Sequence, residues 1–172
     1  MLNRFLPNEY VKSIFEIKLD ELIEKGIKGI ITDLDNTLVP WDAKNATPNV
    51  IEWFELIASY HLKVTIISNN NEERVKTFSD PLGIPYLFDA KKPLQRTFNK
   101  GAQQMNLAND EIAVIGDQLL TDILGGNSGG YYTILVVPIV QTDAKITKMN
   151  RFMERKILNY LRKKGKLNWE DE

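Results

Sequence analysis

Apolar runs and amphipathic stretches alternate along most of this chain. Ile27 to Ile31 is an apolar run that predicts a strand. After Pro48, residues 49–60 carry Val50, Trp53, Phe54 and Ile57 at helical spacing, which predicts a helix. Lys63 to Ile67 predicts a second strand, Glu72 to Phe78 a helix, and Ile84 to Phe88 a short third strand whose Pro85 suits a sheet edge. Pro93 to Met105 predicts a helix, Ile112 to Ile115 a fourth strand, Gln118 to Gly125 a helix, and Tyr132 to Val137 a fifth strand. Strands that alternate with helices form a parallel sheet covered on both faces, and such strands read as continuous apolar runs. The expected fold is therefore an α/β, doubly wound, Rossmann-like five-stranded sheet.

The two ends depart from this rhythm. In residues 1–26, Phe5, Leu6, Tyr10, Val11, Ile14 and Phe15 recur at roughly helical spacing. Asp20 is expected to cap a short helix that runs to Lys25 and stops at Gly26. This prelude is expected to pack on the sheet or to cover one edge of the site. Between Lys145 and Lys166 there are nine Lys or Arg and one acid, Glu154. Met149, Met153, Ile157 and Leu161 recur every fourth residue, the mark of a basic amphipathic helix. One reading docks that helix on the domain with a solvated basic face; the other presents it to anionic lipid or RNA. The chain is thus expected to be one domain, 1–172, with a prelude (1–26), a core (27–140), and a basic helix with an acidic end (141–172).

Composition narrows the classes. A chain of 172 residues, 43% hydrophobic and 26% charged, supports one real core and not wholesale disorder. The absence of cysteine excludes disulfides, thiolate metal sites and cysteine nucleophiles. The single histidine, His61, falls between a helix and a strand and reads as a surface turn. No apolar run approaches the roughly 20 residues of a membrane span, and the N-terminus lacks a signal-like stretch. A cytoplasmic protein is expected, with peripheral contact at the inner membrane face if the basic helix binds lipid.

Polar residues follow the strand ends: Asp33 and Asp35, then Ser68-Asn69-Asn70, then Asp89 and Lys92, then Gly116-Asp117. Doubly wound sheets bind ligands just beyond those ends. Asp33 and Asp35 are two residues apart, so on an extended strand they would share a face. Paired acids at a strand end need a cation or a shared proton. The reading is metal-assisted phosphoryl transfer. Asp-x-Asp-x-Thr by itself occurs by chance; four such pieces in order, each at its strand end, do not. Asn36 and Asn70 read as turn residues, and Asp122 could cap the helix around it.

These motifs, over Ile27 to about Val137, resemble those of the haloacid dehalogenase (HAD) superfamily of phosphatases. The resemblance implies that Asp33 is the nucleophile, forming an aspartyl-phosphate, and that Asp35 is the general acid and then the base. It implies that Thr37 orients this loop and Asp35, and that Ser68 and the amide of Asn69 hold phosphate oxygens. Lys92 matches the motif lysine that balances charge on nucleophile and phosphate, with Lys91 as the alternative. Mg²⁺ would be held by Asp33, Asp117 and the backbone carbonyl of Asp35, supported by Asp122 directly or through water. The second aspartate favours a phosphohydrolase over a dehalogenase.

Cap domains of this superfamily are inserted between the first and second motifs or between the second and third. Neither interval here is long enough, so a capless, open site is expected. That favours large or tethered substrates: a lipid head group, a nucleic-acid end or a phosphoprotein. Trp41, on the loop Val39 to Asp42, either stacks on substrate or packs under the loop. Asp-Leu-Asp-Asn-Thr-Leu, Lys-Lys-Pro-Leu, Gly-Asp-Gln-Leu-Leu-Thr-Asp-Ile and the Phe-Leu-Pro start look closest to the YqeG-like group of subclass IIIA. That group is similar to mitochondrial phosphatidylglycerophosphate phosphatases, which makes this lipid a candidate substrate.

The competing class is an assembly or binding factor, with an RNA or protein partner at the basic tail and incidental phosphatase activity; no DNA partner is expected. A receiver domain fits poorly, because its acids would lie elsewhere. A nucleotide kinase lacks its Gly-rich loop here.

Overall fold

Parallel pairing of six strands builds the sheet, in the order β1-β6-β5-β2-β3-β4. The computed structural model describes residues 2–140 and 147–165. The strands are β1 (Glu9–Val11), β2 (Gly29–Thr32), β3 (Lys63–Ile67), β4 (Tyr86–Leu87), β5 (Ile112–Gly116) and β6 (Tyr132–Val136). The helices are α1 (Leu19–Glu24), α2 (Pro48–Ser59), α3 (Glu72–Ser79), α4 (Gln95–Met105), α5 (Leu124–Gly129) and α6 (Thr147–Lys163). The strand containing Tyr86 is indeed at an edge.

Neighbouring residues of one strand serve opposite cores, the period-2 consequence of the pleat. Ile30 packs with Trp53, Ile57, Val75 and Phe78 on the α2–α3 face. Ile31 packs with Phe98, Ala102 and Met105 on the α4 face. Both faces are dry, which is why the strands show no polar alternation. Local chemistry sets the helix starts. Thr47 caps α2 by accepting from the Val50 N–H, with Pro48 in its first turn. Asn71 Oδ1 caps α3 by accepting the Arg74 N–H at 3.0 Å.

Several expectations are corrected. The sheet has six strands, not five, because Glu9–Val11 is a strand and not part of a helical prelude. Three half-buried residues are too few to show a strand period. The pairing is tertiary: Asn8 Oδ1 accepts the Thr133 N–H at 2.8 Å, and the Asn8 N–H donates to the Thr133 carbonyl. Asp20 does not cap α1. Lys18 takes the cap position without a side-chain hydrogen bond, and Asp20 lies in the first turn, where its charge suits the helix dipole. The helix expected from Gln118 starts as a π-helical turn, Leu119–Ile123, before α5. His61 sits in an exposed turn with φ 57°.

The basic helix is docked. Its inner stripe is Glu154, Ile157, Leu158 and Leu161: Glu154 and Leu161 are buried, and Ile157 and Leu158 pack against Leu119, Ile123 and Leu135, as do Phe5 and Tyr10. Met153, expected inside, is outside, because the buried Glu154 turns the helix by accepting the Leu120 N–H at 3.1 Å. The start of the tail at Lys145, the acidic end and the side chain of Met149 lie outside the described residues. Among the described residues, no helix is long and apolar enough to cross a membrane.

Candidate active site

Strand register brings the motifs together. Thr32 is level with Ile66 on β3 and Ile115 on β5, and the Asp33 N–H donates to the Ile115 carbonyl at 2.9 Å. Asp33, Ser68 and Asp117 therefore emerge side by side at the C-terminal ends of the three central strands. The chain departs from β2 at Thr32 and turns through Asn36, whose φ is 64°. The Asn36 N–H donates to the Val39 carbonyl, and Asn36 Oδ1 accepts the Trp41 N–H. Asparagine tolerates this left-handed backbone better than most residues, so Asn36 is a turn residue as expected.

Lys92 enters the site, while Lys91 is exposed. The Lys92 ammonium is buried and donates to Asp33 Oδ1 and to Asp122 Oδ1, each at 2.6 Å. Burial alone would lower the lysine pKa. The carboxylates of Asp122 and Asp33 outweigh it and hold the ammonium above its ordinary value. Asp122 is almost completely buried, and burial pushes its carboxyl up to about 6 despite the attraction of Lys92. Its second oxygen accepts the Gln118 N–H at 3.1 Å, so it also serves the turn that carries it. Gly116 makes room for this carboxylate: a Cβ there would lie 2.2 Å from Asp122 Cγ.

Oxygens of Asp33, Asp117 and Asp122 all lie within 4.8 Å of one another. Three carboxylates cluster here, and the Lys92 ammonium reaches two of them. An oxygen-only donor set of this kind fits a hard divalent cation. Thr37, expected to help orient this loop and Asp35, donates to Asp117 Oδ1 at 3.2 Å and so ties the first-motif loop to the acid cluster.

Asp35, like Asp33, lies past the end of β2 at Thr32, and its hydrogen-bond partners come from outside the first motif. Its Oδ1 accepts from Arg74 Nε at 3.0 Å and Nη2 at 2.8 Å, and its Oδ2 accepts from Asn70 Nδ2 at 2.9 Å. Burial raises the Asp35 pKa; Asn70 and Arg74 oppose the shift, and Asp33 adds to it. Arg74 is the functional-site residue that sequence reading missed. It sits in the first turn of α3 with no motif to mark it, and only its contact with Asp35 gives it meaning. Asn70 likewise does more than form a turn.

Ser68 is buried, and its Oγ accepts the Asn70 N–H at 3.1 Å. The Asn69 side chain faces the lysine loop: its Oδ1 accepts the Lys92 N–H at 2.7 Å, and its Nδ2 donates to the Lys92 carbonyl at 3.5 Å. Asn69 thus clamps the backbone whose side chain reaches Asp33. Trp41 is 42% exposed, so part of it stays open to solvent on its loop. Between the first and second motifs lie only α2 and β3, and between the second and third only α3, a short 3-10 turn and β4. Among the described residues, no cap covers the site.

Comparison with known proteins places these features in a family. Residues 2–141 match the model of the family described as mitochondrial PGP phosphatase. The chain is 57% identical over 167 residues to the Bacillus subtilis protein named "Probable phosphatase YqeG", covering 97% of each. It is 30% identical over 152 residues to the Saccharomyces cerevisiae phosphatidylglycerophosphatase GEP4, mitochondrial, covering 81% of this chain and 80% of that one. Among solved structures, 3-deoxy-D-manno-octulosonate 8-phosphate phosphatase from Moraxella catarrhalis, in complex with magnesium, phosphate and KDO, is similar with a TM-score of 0.51 and 13% identity. That match covers 83% of this chain and 92% of the other.

Proposed function

We propose that this chain, which belongs to the mitochondrial PGP phosphatase family and is a phosphatase with the HAD fold, hydrolyses phosphomonoesters through an aspartyl-phosphate on Asp33 with the help of Mg²⁺. The observation that carries this reading is the buried Asp33 carboxylate, 2.6 Å from the Lys92 ammonium and clustered with Asp117 and Asp122. A carboxylate so placed has a fixed cation to offset phosphate charge and acids to hold a second one.

In the first half-reaction an Asp33 oxygen attacks phosphorus and the bond to the leaving oxygen breaks. The Asp35 carboxyl, whose pKa burial raises, gives its proton to that oxygen. In the second half-reaction Asp35 takes a proton from water as the water oxygen attacks phosphorus, and the Asp33–phosphorus bond breaks to release inorganic phosphate. Lys92 offsets charge on Asp33 and the phosphoryl oxygens throughout, with Asn69 holding its backbone in place. Ser68 and the Asn69 N–H serve as ligands to phosphoryl oxygens. Asp33 and Asp117, with the Asp35 carbonyl and support from Asp122, would hold the Mg²⁺; when bound it neutralises phosphate charge and lowers the barrier to attack.

The absence of a cap among the described residues leaves substrate size unrestricted on the open side. A phosphomonoester at the end of a lipid head group fits such an opening, and the yeast relative is named for that substrate. The proposed substrate class is therefore a lipid phosphomonoester of the phosphatidylglycerophosphate type. Aryl phosphate turnover should require Mg²⁺ and be lost with chelator and in Asp33→Asn. Activity that survives either would refute the mechanism. Specificity is read separately: kcat/KM for phosphatidylglycerophosphate should exceed those for nucleotides, sugar phosphates and phosphopeptides.

A further inference from the structure

The inner stripe of α6 is fully accounted for by packing, whereas its outer face is not. From Phe152 to Gly165 the exposed positions include five cations (Arg155, Lys156, Arg162, Lys163 and Lys164) and no acid. The one acid in that span, Glu154, is buried. Large apolar side chains are exposed on the same surface: Phe152 is 57% exposed and Tyr160 46%, with Met153 alongside. Phe152, Lys156, Tyr160 and Lys164 follow at four-residue steps and so form one ridge. Within it, the Lys156 ammonium lies 4.5 Å from the Phe152 ring centroid, and that of Lys164 lies 5.9 Å from the Tyr160 centroid.

Folding alone would not select this pattern. A solvated face of a docked helix needs charge but no row of aromatic rings, and a protein contact built on rings would not exclude every acid. Rings that enter the acyl boundary, beside lysines that reach up to anionic head groups, satisfy both features at once. The face is also tied to the site. Glu154 holds the Leu120 N–H, and the same turn carries Asp122, which reaches Lys92. Trp41 and Leu94 (61% exposed) stand on the loops that follow Asp35 and Lys92.

We propose that the outer face of α6 docks this protein on an anionic lipid membrane, so that the open site meets head groups at the bilayer surface. The docking rests on the lipid-phosphate reading only for its benefit to catalysis; binding is measured without turnover. The test is sedimentation of the full chain with vesicles of phosphatidylcholine, with and without phosphatidylglycerol, at low and high salt. Wild type should bind only the vesicles that contain phosphatidylglycerol, and salt should release it. Lys156→Gln, Lys163→Gln and Lys164→Gln combined should lower partitioning on the order of a hundredfold, since each lysine near such a surface contributes about fivefold. Phe152→Ser with Tyr160→Ser should weaken binding even at low salt. Both variants should turn over a soluble aryl phosphate as wild type does, which shows the fold and site to be intact. Equal binding to both vesicle types, undiminished binding by both variants, or binding of structured RNA without binding of vesicles would overturn the proposal. A protein that binds vesicles as described but hydrolyses no phosphomonoester would leave the docking surface standing and refute the catalytic reading.

Discussion

Replacing Lys92 with methionine tests the charge balance of the site directly. The side chain is buried, and its ammonium makes two 2.6 Å bonds, to Asp33 and Asp122. Methionine fills a similar volume but leaves Asp33, Asp117 and Asp122 clustered within 4.8 Å without their internal cation. Breaking a buried ion pair from one side costs about 3–5 kcal/mol, chiefly because the remaining charge stays buried. For a domain of this size each kcal/mol moves the midpoint by roughly 2–4 °C, so Lys92→Met should melt about 10 °C below wild type in chelator. Mg²⁺ should restore more stability to the variant than to wild type, because a divalent cation replaces the missing charge. Adding Asp122→Asn should recover part of the loss, with a coupling of about 1.5 kcal/mol or more across the double-mutant cycle. The assay is thermal unfolding by circular dichroism, with and without Mg²⁺, on all four proteins. A loss under about 2 °C, or additive losses in the double variant, would refute the view that Lys92 neutralises the cluster.

Other expectations follow from the same geometry. Asp122 has a folded pKa of about 6, above its ordinary 3.8, so the native state binds more protons than the unfolded chain between those values. In chelator, stability should fall as pH rises from about 4 through about 6, and Asp122→Asn should flatten that window in urea titrations. Mg²⁺ at a hundredfold over its dissociation constant should stabilise wild type by about 2.7 kcal/mol, and Asp117→Asn should abolish most of this in unfolding titrations. Arg74→Ala removes both guanidinium bonds to Asp35 and should lower kcat on the order of tenfold, with Arg74→Lys intermediate because it keeps charge without the fork; steady-state kinetics on an aryl phosphate decides it. Asn8→Ala unties β1 from Thr133 and should cost about 1 kcal/mol, read as a lower urea midpoint without loss of activity per folded molecule.

Two levels of organisation separate in this protein. The alternation of apolar runs and helical stripes determined by itself that strands β2 to β6 lie parallel with helices on both faces, because Ile30 and Ile31 must both be dry. The order of acids and lysine along the chain likewise announced the chemistry, since motifs at strand ends converge in any doubly wound sheet. What the sequence could not carry was contact between residues far apart along it. Glu9–Val11 becomes a strand only because Asn8 and Thr133 meet across 125 positions. Met153 faces outward because Glu154 finds the Leu120 N–H. Lys92 rather than Lys91 turns inward, where Asn69 grips its backbone, and Asp35 is held by Arg74 and Asn70, 39 and 35 positions along the chain. Periodicity reports which face is buried; it carries no information about which polar group waits there. Those partners come from tertiary packing alone, and at this site they decide where each charge sits.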